Sequence, residues 1–303
     1  MSPNMKRMTF GKLLENARVS REISKTRLCK GICTITALTR YEQDERIPDK
    51  FLADFLLERA GVFTYKYEFI TSEEEFQYST KRKVIDDFIY NDQLGIAFDE
   101  IKKYENSLKE SDNLHRQYIL LKKAIIQMKY MEIDEAMELI KQGLLLTQCD
   151  AYKKDMLFSN VEMQLCYKLS ECLCVRNESA KAHKILVNLK NNIEKFECGN
   201  KTNDYYPYIL YRLAQLENEC FNFGKAYEYL CIAETYMLKE YKIHLLKDIM
   251  ELKEDIGRKV RMKEEKTKEK DFILALGLLE LTGDRIITKE GMEFWENTVK
   301  QQL

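Results

Sequence analysis

Apolar side chains recur at helical spacing from the start of the chain. Phe10, Leu13, Leu14 and Ala17 fall at i, i+3, i+4 and i+7 and predict a first amphipathic helix over residues 9–19. Ser24 is a favourable N-cap for a short second helix reaching Lys30, with Leu28 as its inward contact. Gly31-Ile32-Cys33 reads as a tight break, because Gly31 can take a positive φ. Thr34 then caps a third helix over residues 35–42, with Leu38 and Tyr41 facing inward and Thr36, Thr39 and Arg40 facing outward. A polar loop, 43–47, leads to Pro48 at the start of a fourth helix, 49–60. That helix buries Phe51, Leu52, Phe55 and Leu56 and stops at Gly61.

From about Ser72 the pattern is helix after helix with short polar breaks. Residues 81–90 pair with 94–108, 115–130 with 133–147, 155–174 with 179–196, and 205–221 with 223–238, before a further helix over 242–261. The second helix of each pair opens on a small residue, in Leu94-Gly-Ile-Ala97, Ile133-Asp-Glu-Ala136, Glu178-Ser-Ala180-Lys-Ala182 and Phe223-Gly-Lys-Ala226. Ala97, Ala136, Ala180 and Ala226 are spaced by 39, 44 and 46 residues. This is longer and less regular than the tetratricopeptide period of about 34, so the expectation is a degenerate tetratricopeptide-like α-solenoid, with an ordinary helical bundle as the alternative. The fold class is all-α: a helix-turn-helix bundle over 1–65, a helical-repeat domain over 72–262, and capping or dimerisation helices over 263–303. Composition agrees, since 3 Pro and 11 Gly in 303 residues leave little punctuation for strands or glycine-rich loops.

Charge divides the chain. Residues 1–50 hold 11 Lys/Arg against 6 Asp/Glu, while the remainder holds 38 against 44. A basic head on an acidic body points to a polyanion as the head's partner. Four short helices with a three-residue break between the second and third have the geometry of a major-groove reader. In it Thr34 heads the reading helix, Arg40 can pair with guanine, and Thr36 and Thr39 can touch a thymine methyl. Lys25 and Arg46 are placed to face phosphates, and Arg18 and Glu42 to pair across the bundle. The alternative is a structural four-helix cap with a solvated basic face.

These residues carry a resemblance. The stretch from Leu28 to Glu42, Leu-Cys-Lys-Gly-Ile-Cys-Thr-Ile-Thr-Ala-Leu-Thr-Arg-Tyr-Glu, followed by Glu45-Arg-Ile-Pro48, resembles the lambda-repressor-like (XRE) helix-turn-helix. More narrowly it is similar to the head of the Rgg/PlcR/PrgX type of peptide-sensing regulators of Gram-positive bacteria, which join such a head to a tetratricopeptide-like body. The motif spans roughly a fifth of the chain. The resemblance implies base or phosphate contacts for Thr36, Thr39 and Arg40 and an internal ion pair for Arg18 and Glu42. Tyr41 departs from the Ile often found there, and Ile35 and Ala37 leave few polar groups on the reading helix, which points toward shape-based recognition.

The body carries a second expectation. Concave helical arrays hold extended peptides by pairing the peptide's N–H and C=O groups with side-chain amides and Arg. Gln127, Asn160, Gln164, Arg212, Gln215 and Asn218, on the first helices of their pairs, are the candidates. No phosphate loop, nucleophile elbow, His-Glu-x-x-His or dinucleotide turn occurs, so no catalytic residue, metal or cofactor is expected. The nine cysteines are odd in number and irregularly spaced, which reads as reduced thiols. With no apolar run of 18 residues and no export signal, the expected location is the cytoplasm. The expected function is a homodimeric, sequence-specific transcription regulator that binds double-stranded DNA and senses a short quorum-sensing peptide. The alternatives are a helical-repeat protein adaptor and a DNA-binding regulator controlled by a protein partner.

Overall fold

The computed structural model describes residues 9–62, 73–109, 112–196, 204–239 and 245–260. Among them are thirteen α-helices and no strands: α1 (Phe10–Ser20), α2 (Lys25–Cys29), α3 (Ile35–Glu42), α4 (Lys50–Arg59), α5 (Glu73–Tyr90), α6 (Leu94–Asn106), α7 (Asn113–Lys129), α8 (Ile133–Leu146), α9 (Asn160–Val175), α10 (Ser179–Phe196), α11 (Tyr206–Glu219), α12 (Phe223–Lys239) and α13 (Leu246–Val260). The chain is all-α, a small helical bundle followed by paired-helix repeats. It divides into two compact units, Met1–Lys201 and Thr202–Leu303. The first holds the bundle and three hairpins, α5/α6, α7/α8 and α9/α10; the second holds the hairpin α11/α12 and α13. The tail expected to cap or dimerise, 263–303, lies outside the described residues. No described helix is long and apolar enough to cross a membrane.

Side-chain caps set the starts of the head's helices. Thr9, Ser24, Thr34 and Asp49 accept the backbone N–H of Lys12, Arg27, Ala37 and Leu52, respectively. The core beneath them joins Leu14, Ala17, Ile23, Leu28, Leu38, Tyr41, Leu56 and Leu57. Leu157, from the segment between α8 and α9, completes it. Helix α9 begins at Asn160, five residues later than the apolar pattern predicts. Ser159 and Glu162 form a reciprocal capping box there, with Ser159 Oγ accepting the Glu162 N–H and Glu162 accepting the Ser159 N–H at 2.8 Å. The preceding Met156, Leu157 and Phe158 are buried without being helical.

The hairpins share one rule. Each turn holds a non-glycine residue in the left-handed region: Asp92, Met131, Asn177 and Phe221, with φ between 59° and 65°. The next residue's N–H returns to a carbonyl five positions back, from Gln93 to Phe88, Glu132 to Gln127, Glu178 to Leu173 and Asn222 to Glu217. This is the Schellman closure, made without the usual glycine. Five residues after each left-handed residue comes an alanine, Ala97, Ala136, Ala182 or Ala226, and all four are 0% exposed. The third member is therefore Ala182 rather than Ala180, which is exposed. The alanine lets the second helix of a hairpin lie close on the first.

This register has a measurable consequence. Ala182→Leu is expected to lower stability by about 1–3 kcal/mol through overpacking, and Ala180→Leu to change it by no more than about 0.5 kcal/mol, in urea unfolding followed by circular dichroism.

Candidate nucleic-acid interface

The head presents α3 outward. Thr34, Ile35, Thr36 and Arg40 are exposed and Thr39 is half-buried, while Leu38, Tyr41 and Glu42 on the other face are buried. Arg46 is exposed in the loop that follows. Arg18 Nε lies 2.5 Å from Glu42 Oε1 and its Nη2 3.2 Å from Oε2, tying α1 to α3. Arg18 also donates to the Ile23 carbonyl at 3.1 Å, which fixes the chain between α1 and α2.

Lys25 and Thr39 are partly committed within the protein. Lys25 Nζ sits 3.0 Å from Glu42 Oε2 and donates to Thr39 Oγ1 at 3.1 Å. Thr39 in turn donates to the Ile35 carbonyl at 3.0 Å. Thr34 Oγ1 accepts the Ala37 N–H as the helix cap. Of the six side chains expected to meet DNA, Thr36, Arg40 and Arg46 are thus presented to solvent, Thr34 serves as a cap, and Lys25 and Thr39 bond one another.

The turn of the helix-turn-helix is held from below by a group the sequence did not single out. Arg59, at the end of α4, is 2% exposed. Its Nε and Nη2 bond Glu162 of α9 at 3.1 and 2.5 Å. Its Nη1 donates to the carbonyls of Lys30 at 2.6 Å and Leu28 at 3.2 Å, the end of α2. Burial alone would lower the guanidinium pKa, but the Glu162 carboxylate outweighs it and holds the pKa above its ordinary value. Glu162 also accepts from Thr147 Oγ1 at 2.6 Å, and Gln117 Nε2 donates to the same hydroxyl at 2.8 Å. Gly31, at φ +71°, fits against this end of α8; a Cβ there would overlap the Thr147 carbonyl. Arg27 bonds the Asp155 carbonyl, and Glu58 accepts the Asn160 N–H at 2.8 Å.

A second contact joins α4 to the first two hairpins. The Phe51 ring lies 4.6 Å from His115 and 4.4 Å from the Arg82 guanidinium, centroid to group. His115 Nδ1 shares a 2.6 Å hydrogen bond with Tyr104 Oη. Burial, reinforced by Arg82, lowers the His115 pKa to about 4, so the ring is neutral at ordinary pH.

The peptide-binding candidates are spread over both units. Gln127 donates to Glu135 at 2.7 Å, Asn160 bonds Glu58 of the head, and Gln164 is half-buried. In the second unit Arg212 donates to Gln215 at 2.9 Å, and Asn218 accepts from Lys259 at 3.5 Å. Among the described residues no cluster of three or more His, Cys, Asp or Glu is arranged to hold a metal.

Among solved structures the chain matches PlcR of Bacillus thuringiensis, determined in complex with the peptide PapR7 and DNA. The TM-score is 0.57 over 90% of this chain and 95% of that one, at 10% identity. The chain shares the fold of PlcR. It is also similar to the apo form of the competence regulator ComR from Streptococcus vestibularis, at 15% identity over 97% of this chain and 96% of that one, with a TM-score of 0.47. No family model matches the chain, and no curated protein matches it by sequence.

The buried pair sets the testable point of this region. Arg59→Met leaves Glu162 buried with its strongest partner gone and is expected to destabilise the protein by about 3–5 kcal/mol. The double variant Arg59→Met/Glu162→Gln is expected to recover much of that loss in the same denaturation assay, because no uncompensated charge remains.

Proposed function

We propose that the chain is a sequence-specific DNA-binding transcription regulator whose helical-repeat body senses a short signalling peptide, of the quorum-sensing type, and that it acts in the cytoplasm as a homodimer. The observation that carries the DNA half is the presentation of α3. A short capped helix stands out from a basic head with Thr36 and Arg40 exposed, while the acidic body contacts the head through α4 and the end of α2. Arg40 pairs with a guanine edge, Thr34, Thr36 and Thr39 border the same groove, Arg46 lies toward the phosphates, and Lys25 reaches them only by releasing Glu42 and Thr39. Two such heads on a two-fold axis meet half-sites one helical turn, about 34–36 Å, or a multiple of it apart.

Support for the peptide half is the fold shared with PlcR, a regulator that was captured with both a peptide and DNA. Within the first unit Gln127, Asn160 and Gln164, on α7 and α9, supply donors and acceptors of the kind an extended peptide needs, and within the second Arg212, Gln215 and Asn218 on α11 do so independently. Peptide binding biases the dimer between two placements of its heads by its differential affinity for them. Nothing in this assignment asks the chain to catalyse a reaction.

Selection from a random duplex pool, followed by gel shift with a salt titration, tests the DNA half. A major-groove reader loses affinity along a line of log K against log salt, with a slope of about −0.9 for each phosphate neutralised. Arg40→Ala is expected to weaken the selected duplex about 5- to 150-fold, the range of one bidentate base contact. Equal retardation by the variant and the parent removes Arg40 from the interface. For the body, a short peptide exported by the host is expected to raise the melting temperature, by the equivalent of about 2.7 kcal/mol at a hundred times its Kd. If no exported peptide stabilises the chain, control passes to a protein partner.

A further inference from the structure

The outward face of α3 is more apolar than a hydrogen-bonding reader needs. Ile35, Thr36, Thr39 and Arg40 fall at i, i+1, i+4 and i+5, a single stripe on a helix of 3.6 residues per turn. The stripe begins with Ile35, the first residue after the Thr34 cap, and Ile35 is 48% exposed. Exposed large apolar side chains occur elsewhere as well: Tyr90, Met131 and Phe221 sit at the turns of hairpins, and in the head Val19 lies near the end of α1 and Ile47 in the loop after α3. Ile35 instead stands among the polar groups of the stripe, at the helix end that enters a groove in helix-turn-helix docking.

The Thr39 hydroxyl shifts the balance further toward carbon. Thr39 Oγ1 both donates, to the Ile35 carbonyl, and accepts, from Lys25, so its methyl is the part left for an outside contact. Thr34 Oγ1 accepts the Ala37 N–H and keeps its own O–H to donate. What remains on the stripe is the branched side chain of Ile35, the Thr39 methyl, Thr36 and one guanidinium.

Among base edges in the major groove, the apolar feature is the C5-methyl of thymine. We propose that Ile35 reads a thymine methyl, so that the head's target favours a thymine at the base pair facing the start of α3. This rests on the DNA-binding reading above and deepens it to a class of sequence. A β-branched side chain suits the task, since its χ1 is already restricted and little freedom is lost on contact. Burying one methyl against another is worth about a fourfold change in affinity.

The test replaces thymine by deoxyuridine, one position at a time, in the duplex selected from the random pool. This removes the methyl and leaves every hydrogen-bonding edge intact. The expected result is one position per half-site at which the substitution weakens the parent protein about fourfold. The same substitution is expected to have no effect on Ile35→Ala and a smaller effect on Ile35→Val. Both variants change an exposed side chain, and equal melting temperatures certify that they fold. The assignment is overturned if no deoxyuridine position weakens the parent, or if Ile35→Ala keeps the full loss. A pool that yields no retained duplex overturns the regulator reading itself, and the Ile35 assignment with it.

Discussion

The buried pair between Arg59 and Glu162 is the constraint on which the first compact unit depends. Removing a guanidinium and a carboxylate from water is costly, and a Coulombic pair alone does not restore what hydration supplied. Here nearly all their hydrogen-bonding capacity is met. Arg59 directs Nε and Nη2 at the carboxylate and Nη1 at two carbonyls of the helix-turn-helix, while Glu162 adds the Thr147 hydroxyl and the Ser159 N–H. Four segments distant in sequence thus share one polar centre: the end of α2, the end of α4, the cap of α8 and the first turn of α9. A shift of the head by a fraction of a helical turn leaves one of these groups buried and unpaired, so the head's seat on the hairpins is a discrete position.

That seat leaves Ile35, Thr36 and Arg40 of α3 exposed. Contacts to the body come from α4, from the Arg27 side chain and from Gly31 at the turn, and none of these groups belongs to α3. Helix α3 is fastened from within the head, through Leu38 and Tyr41 in the core and Glu42 beneath Arg18 and Lys25. The same fastening shapes its chemistry. Glu42 draws Lys25 inward, Lys25 occupies the Thr39 hydroxyl, and the outer face becomes a row of methyl groups ending in a cation.

Much of the head was legible because its signals are local. Caps at Ser24 and Thr34, the break at Gly31 and the period of Leu14, Ala17, Leu38 and Tyr41 each act within one or two turns of chain. The hairpins were legible for the same reason, to within a few residues at their ends except at α5, which begins at Glu73, eight residues before the expected 81. Arg59 was not, because a charged residue at the end of an amphipathic helix looks solvated until a carboxylate 103 residues away is known to meet it. Lys25 looked free for the same cause. One misplacement was avoidable: Ser159-Asn-Val-Glu162 is a capping box in plain sequence, and it sets the start of α9 at Asn160 against the pull of the apolar run Met156–Leu157–Phe158. The exchange of Ala180 for Ala182 shows how register is lost when two small residues compete and only the turn geometry distinguishes them.

The irregular period then acquires a physical reason. What repeats is short: a left-handed residue, a Schellman closure, and an alanine five positions later. This part packs one helix on the next and tolerates no insertion. What varies is the connection from one hairpin to the next. With Ala182 in place, the interval from Ala97 to Ala136 is 39 residues and the interval to Ala182 is 46. The longer one contains the segment 147–159, which does not simply link α8 to α9. It carries Leu157 into the core of the head, offers the Asp155 carbonyl to Arg27 and presents Ser159 and Glu162 where Arg59 can reach them. Lengthening a loop adds little closure entropy, roughly 0.6 kcal/mol per doubling, so the additional residues are thermodynamically inexpensive. The longest of the three intervals, 39, 46 and 44 residues, is therefore the one whose connection holds the head.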